Sequence, residues 1–369
     1  MQMSGSGKED IMGNLMNDRN KMEDLYSKYQ GFQTPAAKIL VGEAGVDLLR
    51  GLHAQVDHLN VTLSLESANS VSFSIINAYD YKNRAFNSSV MDQLCLGNLL
   101  KLKLGYGSSL EEVFTGFIYS VKAEFGEMAV LSVVALDVRR VMDDSVRKGV
   151  IWRYTTYSAV FRQVMEPYKK LYAKLIIDDT PNNEVNSLTQ NESDHAFAKR
   201  LAIEGNREFF VCNDVVYFRR KSKRDAAVSL SWGRDLISFS KESIYADQKV
   251  TVLGLMKDGK EQVAATAEVK TDKNMKQVVT GDSSQTISSP TSDSKSKAEQ
   301  KALQKAEEIR RKKQSGQGIC PGLPQLVPGR PVAITGLDSR LDGGYAMKRV
   351  THSLGSDGFQ TSFEIGGFD

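Results

Sequence analysis

Apolar and polar residues alternate with a period of two through much of the first third of the chain. Successive side chains of a strand point to opposite faces, so this alternation predicts strands that each bury one face. Short strands divided by Gly, Ser and Asn turns are typical of an antiparallel barrel or sandwich. We therefore predict a first tube-like β-barrel over residues 36–140. The alternating segments are 58–66, 71–75, 100–104, 114–121 and 128–136.

Helical spacing replaces this alternation after residue 140. Val160, Phe161 and Val164 share one helical face, and Pro167 follows them, which predicts a helix that ends before the proline. This helix belongs to a predicted small α+β module over residues 141–225.

A second helix is predicted later in the same module. Asn191 or Ser193 can cap it, because their side-chain oxygens accept hydrogen bonds from the first free amides of a helix. Gly205 is expected to end this helix in the left-handed conformation. A hairpin over residues 209–218 is expected to turn at Asn213-Asp214.

Strand patterns return in the last part of the chain. They cover 236–240, 248–255 and 261–269, and glycine-rich turns and strands fill residues 314–369. We predict a second tube-like β-barrel over residues 226–369.

An insertion is predicted inside this second barrel, at about 271–313. Residues 271–297 are rich in Ser, Thr, Asp and Lys, which predicts a mobile polar loop. Residues 298–313 have high helix propensity but few apolar positions. A charged, solvated surface helix is therefore expected there.

The two strand-rich regions share a weak repeat of glycines and strands. Gly97 precedes a strand in the first region, as Gly329 does in the second, and the next strand ends at Val121 or at Val350. Two related barrels per chain would become six in a trimer, and such an object can join a three-fold partner to a six-fold one. The predicted fold is α+β, mainly β, with two related tube-like antiparallel β-barrels and an intervening small α+β module.

Residues 1–35 form a predicted amphipathic N-terminal extension. Its apolar residues recur at about helical spacing among charged ones. Such a segment docks onto a partner or packs on its own domain, and the pattern leaves both possibilities open. The apolar positions are Ile11, Leu15, Met22, Leu25 and Tyr26.

The charge balance gives no case for a nucleic-acid-binding domain, because 48 Lys and Arg face 45 Asp and Glu for a net charge of +3. The basic runs at 219–224 and 310–313 are candidate nucleic-acid contacts, and a solvated helix end is favoured for the second. No apolar run approaches the ~18 residues that span a membrane. The amino terminus lacks the pattern of a secretory signal. We expect no specific nucleic acid and no membrane insertion.

Cys95, Cys212 and Cys320 are odd in number and far apart in sequence. This argues against a disulfide framework and favours synthesis in a reducing cytoplasm. All three are expected to be buried small apolar residues. The chain has four histidines and no CxxC, HExxH or HxH pattern. No metal ligand and no cofactor-binding residue is predicted.

Two histidines, His195 and His352, are candidates for a catalytic role. A catalytic histidine needs a placed carboxylate or nucleophile, and no residue near His352 has that spacing. Asp194 precedes His195 in a predicted first helical turn, where adjacent side chains diverge around the axis. We predict no catalytic residue. The paired acids, expected to be solvated caps at element ends, are Asp143-Asp144 and Asp178-Asp179.

Two segments resemble the phage late control protein D family, to which the amino-terminal part of VgrG spikes is related. The first, residues 188–205, is a polar run with a Ser-Asp pair that leads into a helix ending at Glu204-Gly205. The second runs from Cys320-Pro-Gly-Leu-Pro through Arg349-Val-Thr-His352 to residue 363. The resemblance extends over roughly residues 36–369 and is diffuse outside these two places. The extension over 1–33 and the insertion at about 271–313 depart from the family pattern.

This resemblance implies a structural central hub of a phage tail or contractile injection system baseplate, not an enzyme. Three copies would form a ring that adapts a six-fold tail tube to a three-fold spike, and His352 would have a structural hydrogen-bonding role. The implied partners are a homotrimer, a trimeric spike protein and a tail tube or tube-initiator protein. The tape-measure protein and other baseplate subunits are further expected partners. The 1–33 extension is expected to bind the spike, the tape-measure protein or a neighbouring baseplate subunit. The protein would be made in the bacterial cytoplasm and assembled in the baseplate of a virion or phage-tail-like particle. The alternative is a cell-wall-degrading tail-tip enzyme.

Overall fold

The computed structural model describes residues 15–16, 18–153, 156–181, 187–220, 225–255, 262–270, 276, 278, 284–289, 292 and 294–368. Within them the chain is mainly β with antiparallel sheets, which confirms the predicted fold class. Ile11 of the predicted extension and residues 221–224 of one basic run lie outside the described residues.

Among its described residues, the first half of the chain supplies two α-helices and nine strands. Asn87 caps the second helix, since its side-chain oxygen accepts a hydrogen bond from the Val90 amide. The elements are α1 (Met22–Lys28), β1 (Pro35–Val41), β2 (Val46–Asp47), β3 (Val56–Ser64), β4 (Ser70–Ile75), β5 (Tyr79–Asp80), β6 (Ala85–Phe86), α2 (Ser88–Gln93), β7 (Leu99–Tyr106), β8 (Ser109–Phe125) and β9 (Ala129–Leu136).

The middle of the chain forms an α+β module with its own apolar core. The rings of Phe161 and Phe218 stack there with centroids 4.3 Å apart. Asn213 has φ of 54° at the turn of the predicted hairpin. The elements are α3 (Val138–Asp144), β10 (Val150–Trp152), α4 (Tyr157–Met165), β11 (Lys174–Ile177), β12 (Leu188–Gln190), α5 (Asp194–Glu204), β13 (Arg207–Cys212) and β14 (Val215–Arg220).

The module's last helix begins as predicted and ends differently. Ser193 accepts a hydrogen bond from the Ala196 amide and caps α5. Gly205 was predicted to be the left-handed stop, but its φ is −80°, and Asn206 has φ of 52° instead. Asparagine tolerates the left-handed region better than most residues, so the stop lies one residue later.

Where the structure describes it, the second half of the chain supplies one α-helix and nine strands. The elements are β15 (Ser229–Ser231), β16 (Ser238–Ser243), β17 (Asp247–Leu255), β18 (Gln262–Lys270), β19 (Ser284–Ser288), α6 (Lys295–Lys312), β20 (Gln314–Pro321), β21 (Pro331–Thr335), β22 (Gly343–Gly355) and β23 (Gly358–Phe368).

A single large sheet unites the two halves. Its main path runs β16-β20-β23-β22-β3-β4-β9-β8-β7-β1-β2, and β21 and β15 branch from β22. The order β3-β4-β9-β8-β7-β1 of the first half therefore recurs as β16-β20-β23-β22-β21-β15 in the second. This confirms the predicted repeat, although β1 pairs antiparallel with β7 and β15 pairs parallel with β21. Across the described residues, no pairing joins the two ends of the path into a closed barrel.

The inserted unit is larger than predicted. The strands β17 and β18 were assigned to the second barrel, but they form a separate three-stranded sheet with β19, in the order β18-β17-β19. The strand β19 lies where a loop was predicted. The amide of Ile244 donates to the carbonyl of Lys313 at 2.8 Å, which brings the two ends of the unit together. The insertion therefore occupies the turn between β16 and β20.

The helix of this unit is also packed more closely than predicted. A stripe of alanines spaced by four residues, Ala298, Ala302 and Ala306, is buried against β17 and β18. Small side chains let a helix lie close to a sheet, so few large apolar residues are needed. The predicted solvated helix is wrong on this face, while Leu303, which lies off the stripe, is 63% exposed.

The described part of the extension packs on the chain's own core. Met22, Leu25 and Tyr29 are buried in the core that both halves share. The guanidinium of Arg330 donates to the backbone oxygens of Leu15 at 2.7 Å and Asp18 at 2.6 Å. Of the two possibilities left open by the sequence, docking onto a partner or packing on its own domain, the described residues of the extension follow the second.

Candidate assembly interface

The two halves meet where β22 pairs antiparallel with β3. Leu354 lies opposite Leu59, and Val350 lies opposite Leu63. Leu59, Leu63 and Val350 are all buried in the shared core. The junction therefore continues the apolar core from one half into the other.

The other face of this junction is polar. The hydroxyls of Thr62 and Thr351 lie 3.4 Å apart, and the hydroxyl of Ser353 donates to the side-chain oxygen of Asn60 at 2.8 Å. Arg349 and Glu364 form an exposed ion pair beside them. Cross-strand pairs of this kind fix the register of antiparallel strands.

His352 lies on the core side of the same junction and is fully buried. Its Nδ1 lies 2.9 Å from the Thr361 hydroxyl, which also accepts a hydrogen bond from the Leu323 amide. Burial lowers the pKa of His352 to about 4, against a smaller opposing effect of the Leu326 backbone. The ring is therefore neutral at pH 7 and contacts β23 through this hydrogen bond.

In the first half, the strand β8 has an edge equivalent to the edge of β22 that pairs with β3. This edge of β8 has no partner among the described residues. The strand β8 pairs with β7 only from Ser109 to Phe117, and a bulge follows at Tyr119. From Ser120 to Phe125 it pairs with β9 alone. At the other end of the path, β16 pairs only with β20 over the part of the chain that the structure describes. The part of the large sheet that runs from β16 to β8 thus has an open edge at each of its ends.

Exposed apolar side chains lie beside both open edges. Phe125 and Tyr81 are 67% and 64% exposed next to β8, and Ile237 is 57% exposed beside β16. Phe239 of β16 is partly buried and packs edge-to-face on Tyr345 with ring centroids 5.2 Å apart. Such patches are typical of protein–protein contacts.

A buried ion pair fixes the module to the sheet. Arg139 and Asp137 are both almost fully buried, and Nη2 of Arg139 lies 2.7 Å from Oδ2 of Asp137. Arg139 also donates to the Ser64 carbonyl at 2.9 Å, and Asn69 donates to the Val211 carbonyl at 3.0 Å. These bonds connect the β3–β4 turn to α3 and β13. The position of the module relative to the junction is thereby set.

His195 has a different carboxylate partner from the one weighed in the sequence. Its Nδ1 lies 2.7 Å from Oδ1 of Asp143 on α3, so Asp143 is not a simple solvated cap. Asp194 instead receives two hydrogen bonds from Arg147, at 2.8 and 2.9 Å, and one from Tyr168 at 2.6 Å. Burial lowers the pKa of His195, and the Asp143 carboxylate partly opposes this. Both groups hold α5 in the module, and no spacing in the sequence indicated these long-range pairs.

The remaining acids and cysteines are dispersed. Asp178 accepts a hydrogen bond from the Arg220 amide at 2.8 Å. Cys212 and Cys320 are buried, and burial raises the pKa of Cys212 to about 12. Cys95 is exposed, contrary to the prediction, because it follows the last turn of α2 at the surface.

Among the described residues, no group of His, Cys, Asp and Glu could hold a metal ion. In the same residues, none of the helices is long and apolar enough to cross a membrane.

Solved structures similar to this one include bacteriophage-type tail proteins. A tail protein from Neisseria meningitidis MC58 has a TM-score of 0.67 at 14% identity, covering 90% of this chain and 96% of that one. The 43 kDa tail protein of prophage MuSo2 from Shewanella oneidensis has a TM-score of 0.68 at 16% identity, covering 89% and 98%. The E. coli c3393 protein, described as a component of the type VI secretion system, has a TM-score of 0.54 at 13% identity, covering 90% and 77%. The chain therefore has the fold of these tail-related proteins.

Sequence comparison adds one family. A search of curated proteins found no match. The resemblance to the late control protein D family stays a prediction, because a different family matches the chain. Residues 47–356 match the family described as the Alg8 N-terminal domain, and because this match covers most of the chain, the chain belongs to that family.

Proposed function

We propose that this chain is a structural hub of a phage-tail-like baseplate, in which three copies form a ring. The ring would adapt a six-fold tail tube to a three-fold spike, and the chain would have no enzymatic role. Two observations support the proposal: the fold is that of tail proteins, and each chain carries two halves with the same strand order. Three such chains present six similar halves around one axis.

The observation that carries the proposal is the junction between β22 and β3, since it serves as a template for contact between chains. Val121 in β8 pairs with Val133 in β9. Val350 holds the equivalent place in β22, because it pairs with Phe363 at the same level of β23. The open segment of β8 is then equivalent to the segment of β22 that pairs with β3. Its expected partner is the β16 strand of the next copy, the equivalent of β3.

The register of this contact follows from the same equivalence. The strands β4 and β20 hold equivalent places in the two halves. Asn60 of β3 and Ser240 of β16 pair with equivalent residues of these two strands, so Ser240 corresponds to Asn60. Asn60 lies opposite Ser353, which corresponds to Glu124 of β8. We therefore expect Ser240 of one copy to lie opposite Glu124 of the next.

Charge supports this register. Two residues along each strand, the register sets Lys122 opposite Glu242, and both are exposed. Opposite charges directly across an antiparallel pair are stabilising by about 0.2–1 kcal/mol. In the single chain, Lys122 forms an ion pair with a neighbour on its own strand, Glu124, at 2.7 Å. The proposed contact offers it a second carboxylate.

Symmetry explains why such a contact ends in a ring. The two open edges differ, so the contact is head-to-tail, and head-to-tail contacts close into rings when the rotation allows it. Three copies would each contribute the eight strands from β16 to β8, in path order. The open segment of β8 and the open edge of β16 are then both paired, which removes the aggregation hazard of these two edges.

A disulfide between chains tests the proposal. In a Cys95→Ser background, Lys122→Cys and Glu242→Cys are combined in one chain and oxidised over a concentration series. Covalent dimers and trimers on a denaturing gel, with three-fold rings in electron micrographs, are the expected result. The control combines Glu242→Cys with Lys103→Cys, because β7 pairs on both sides and offers no open edge. Monomers only, a ring of another order, or equal cross-linking in the control would overturn the proposal.

A further inference from the structure

An exposed aromatic cluster stands at the end of the first half, at the tip of the β8–β9 hairpin. It consists of Tyr79, Tyr81, Phe86 and Phe125, whose ring centroids lie 5.0–5.6 Å apart in successive pairs. The amide of Ala129 donates to the Tyr81 hydroxyl at 2.8 Å, which ties the β5–β6 hairpin to the base of β9. The cluster is therefore a fixed surface rather than a set of independent side chains.

This cluster extends the apolar core to the surface. Phe86 packs on the core shared by both halves, and Phe125 lies beyond it at 67% exposure. At the junction within the chain, the equivalent residue Leu354 is packed on the core opposite Leu59. The core is thus covered at the junction of β22 with β3, whereas it is open to solvent at the unpaired edge of β8.

At the corresponding tip of the second half, the described residues present no exposed aromatic side chain, because Phe359 beside the turn is buried against Tyr106. There the β22–β23 turn reads Gly355-Ser356-Asp357-Gly358, with small and polar residues only. The chain itself connects the two strands of the internal junction, whereas a contact between chains needs additional stabilising area. Aromatic residues supply such area with little loss of conformational entropy, and they are enriched in protein interfaces.

We propose that the aromatic cluster is the docking site for β16 of a second copy of this chain, with Phe239 and Ile237 of that copy seated against Phe125 and Tyr81. This inference rests on the proposed ring and identifies the residues that stabilise it. The register given above sets Phe239 opposite Phe125, as Leu59 is opposite Leu354 within the chain. The exposed Ile237 flanks Phe239 and adds apolar surface.

Polar substitution on each side of the contact tests the inference. The variants Phe125→Ser and Phe239→Ser are each expected to raise the concentration for half-maximal trimer formation at least about tenfold. The double variant is expected to raise this concentration by less than the product of the two single effects, because both substitutions remove the same contact. The matched control is Ile203→Ser, an exposed apolar residue on α5 outside the contact. Analytical ultracentrifugation gives the concentrations, and circular dichroism verifies that each variant is folded.

The outcomes separate this inference from the ring itself. If the 122–242 disulfide forms a trimer and both serine variants assemble like the control, the ring stands and the aromatic docking site is overturned. If no trimer forms in any variant, including the unaltered chain, the proposed ring fails and the docking site fails with it. A disulfide between Phe125→Cys and Phe239→Cys of neighbouring copies would support the site directly.

Discussion

The side-chain amide of Gln325 donates a hydrogen bond to the hydroxyl of Tyr29 at 2.6 Å, although the two residues are 296 positions apart. Tyr29 is fully buried, and its ring lies 5.2 Å from that of Tyr106 in the first half. The extension thus contacts β7 on one side and the second half on the other. It therefore connects the two halves of the chain.

Loss of this hydrogen bond is expected to destabilise the chain. Tyr29→Phe removes the acceptor and leaves a buried amide without its partner, at a cost of about 1–3 kcal/mol. Burial raises the pKa of Tyr29 to about 12, so the hydroxyl is neutral under ordinary conditions and the effect does not depend on pH near neutrality. The free energy of unfolding in urea measures the effect.

The control for this variant is Tyr26→Phe, three residues earlier, in the helix α1 that ends just before Tyr29. Tyr26 is 58% exposed, so loss of its hydroxyl is expected to change stability by less than about 0.5 kcal/mol. Equal effects of the two substitutions would contradict the role of the Tyr29–Gln325 hydrogen bond in connecting the two halves.

Stability is expected to fall in acid because of His352. Its pKa is about 4 in the folded chain and about 6.5 when exposed in the unfolded one. Between these values the unfolded chain binds a proton that the folded chain does not, so the free energy of unfolding rises with pH in that window. The full contribution is present above pH 6.5, and roughly 3 kcal/mol of it is lost by pH 4.

The variant His352→Gln removes this titration. Its unfolding free energy is expected to be lower at pH 7, because Gln fits the buried site less well, but to depend less on pH between 4 and 6.5. His195 also has a lowered pKa and adds to the acid sensitivity of both proteins. The difference in slope between the two proteins is therefore the quantity to measure, and identical slopes would refute the assignment.

Local patterns predicted the local structure of this chain well. The cap at Ser193 and the hairpin turn at Asn213 were found where the sequence indicated them, because the residues that determine them are neighbours in the chain. The alternating strands were predicted for the same reason. The strand β19 was missed because Ser and Thr dominate it and only Ile287 is apolar and inward.

Long-range partners could not be read from the sequence. Thr62 and Thr351 meet at the junction across 289 residues, and Asp143 meets His195 across 52. Neither pair has a spacing that marks it, since tertiary contacts bring these residues together. The candidate interface was therefore foreseen only as a symmetry argument from the repeat, without its strands or register.

The alanine stripe of α6 leads to a prediction about the inserted unit. Ala302 is 1% exposed against β17 and β18, so Ala302→Glu would bury a carboxylate without room or partner. We expect the unit to lose roughly 2–4 kcal/mol of stability and the amides of β17 and β18 to exchange faster with deuterium. The amides of β3 and β22 are expected to stay protected, because these strands belong to the large sheet. Leu303→Glu adds the same charge one residue away at a position 63% exposed, and it is expected to leave exchange unchanged. Faster exchange of the β17 and β18 amides in both variants would show that an added charge anywhere on the helix destabilises the unit. Burial of the alanine stripe would then not be the cause.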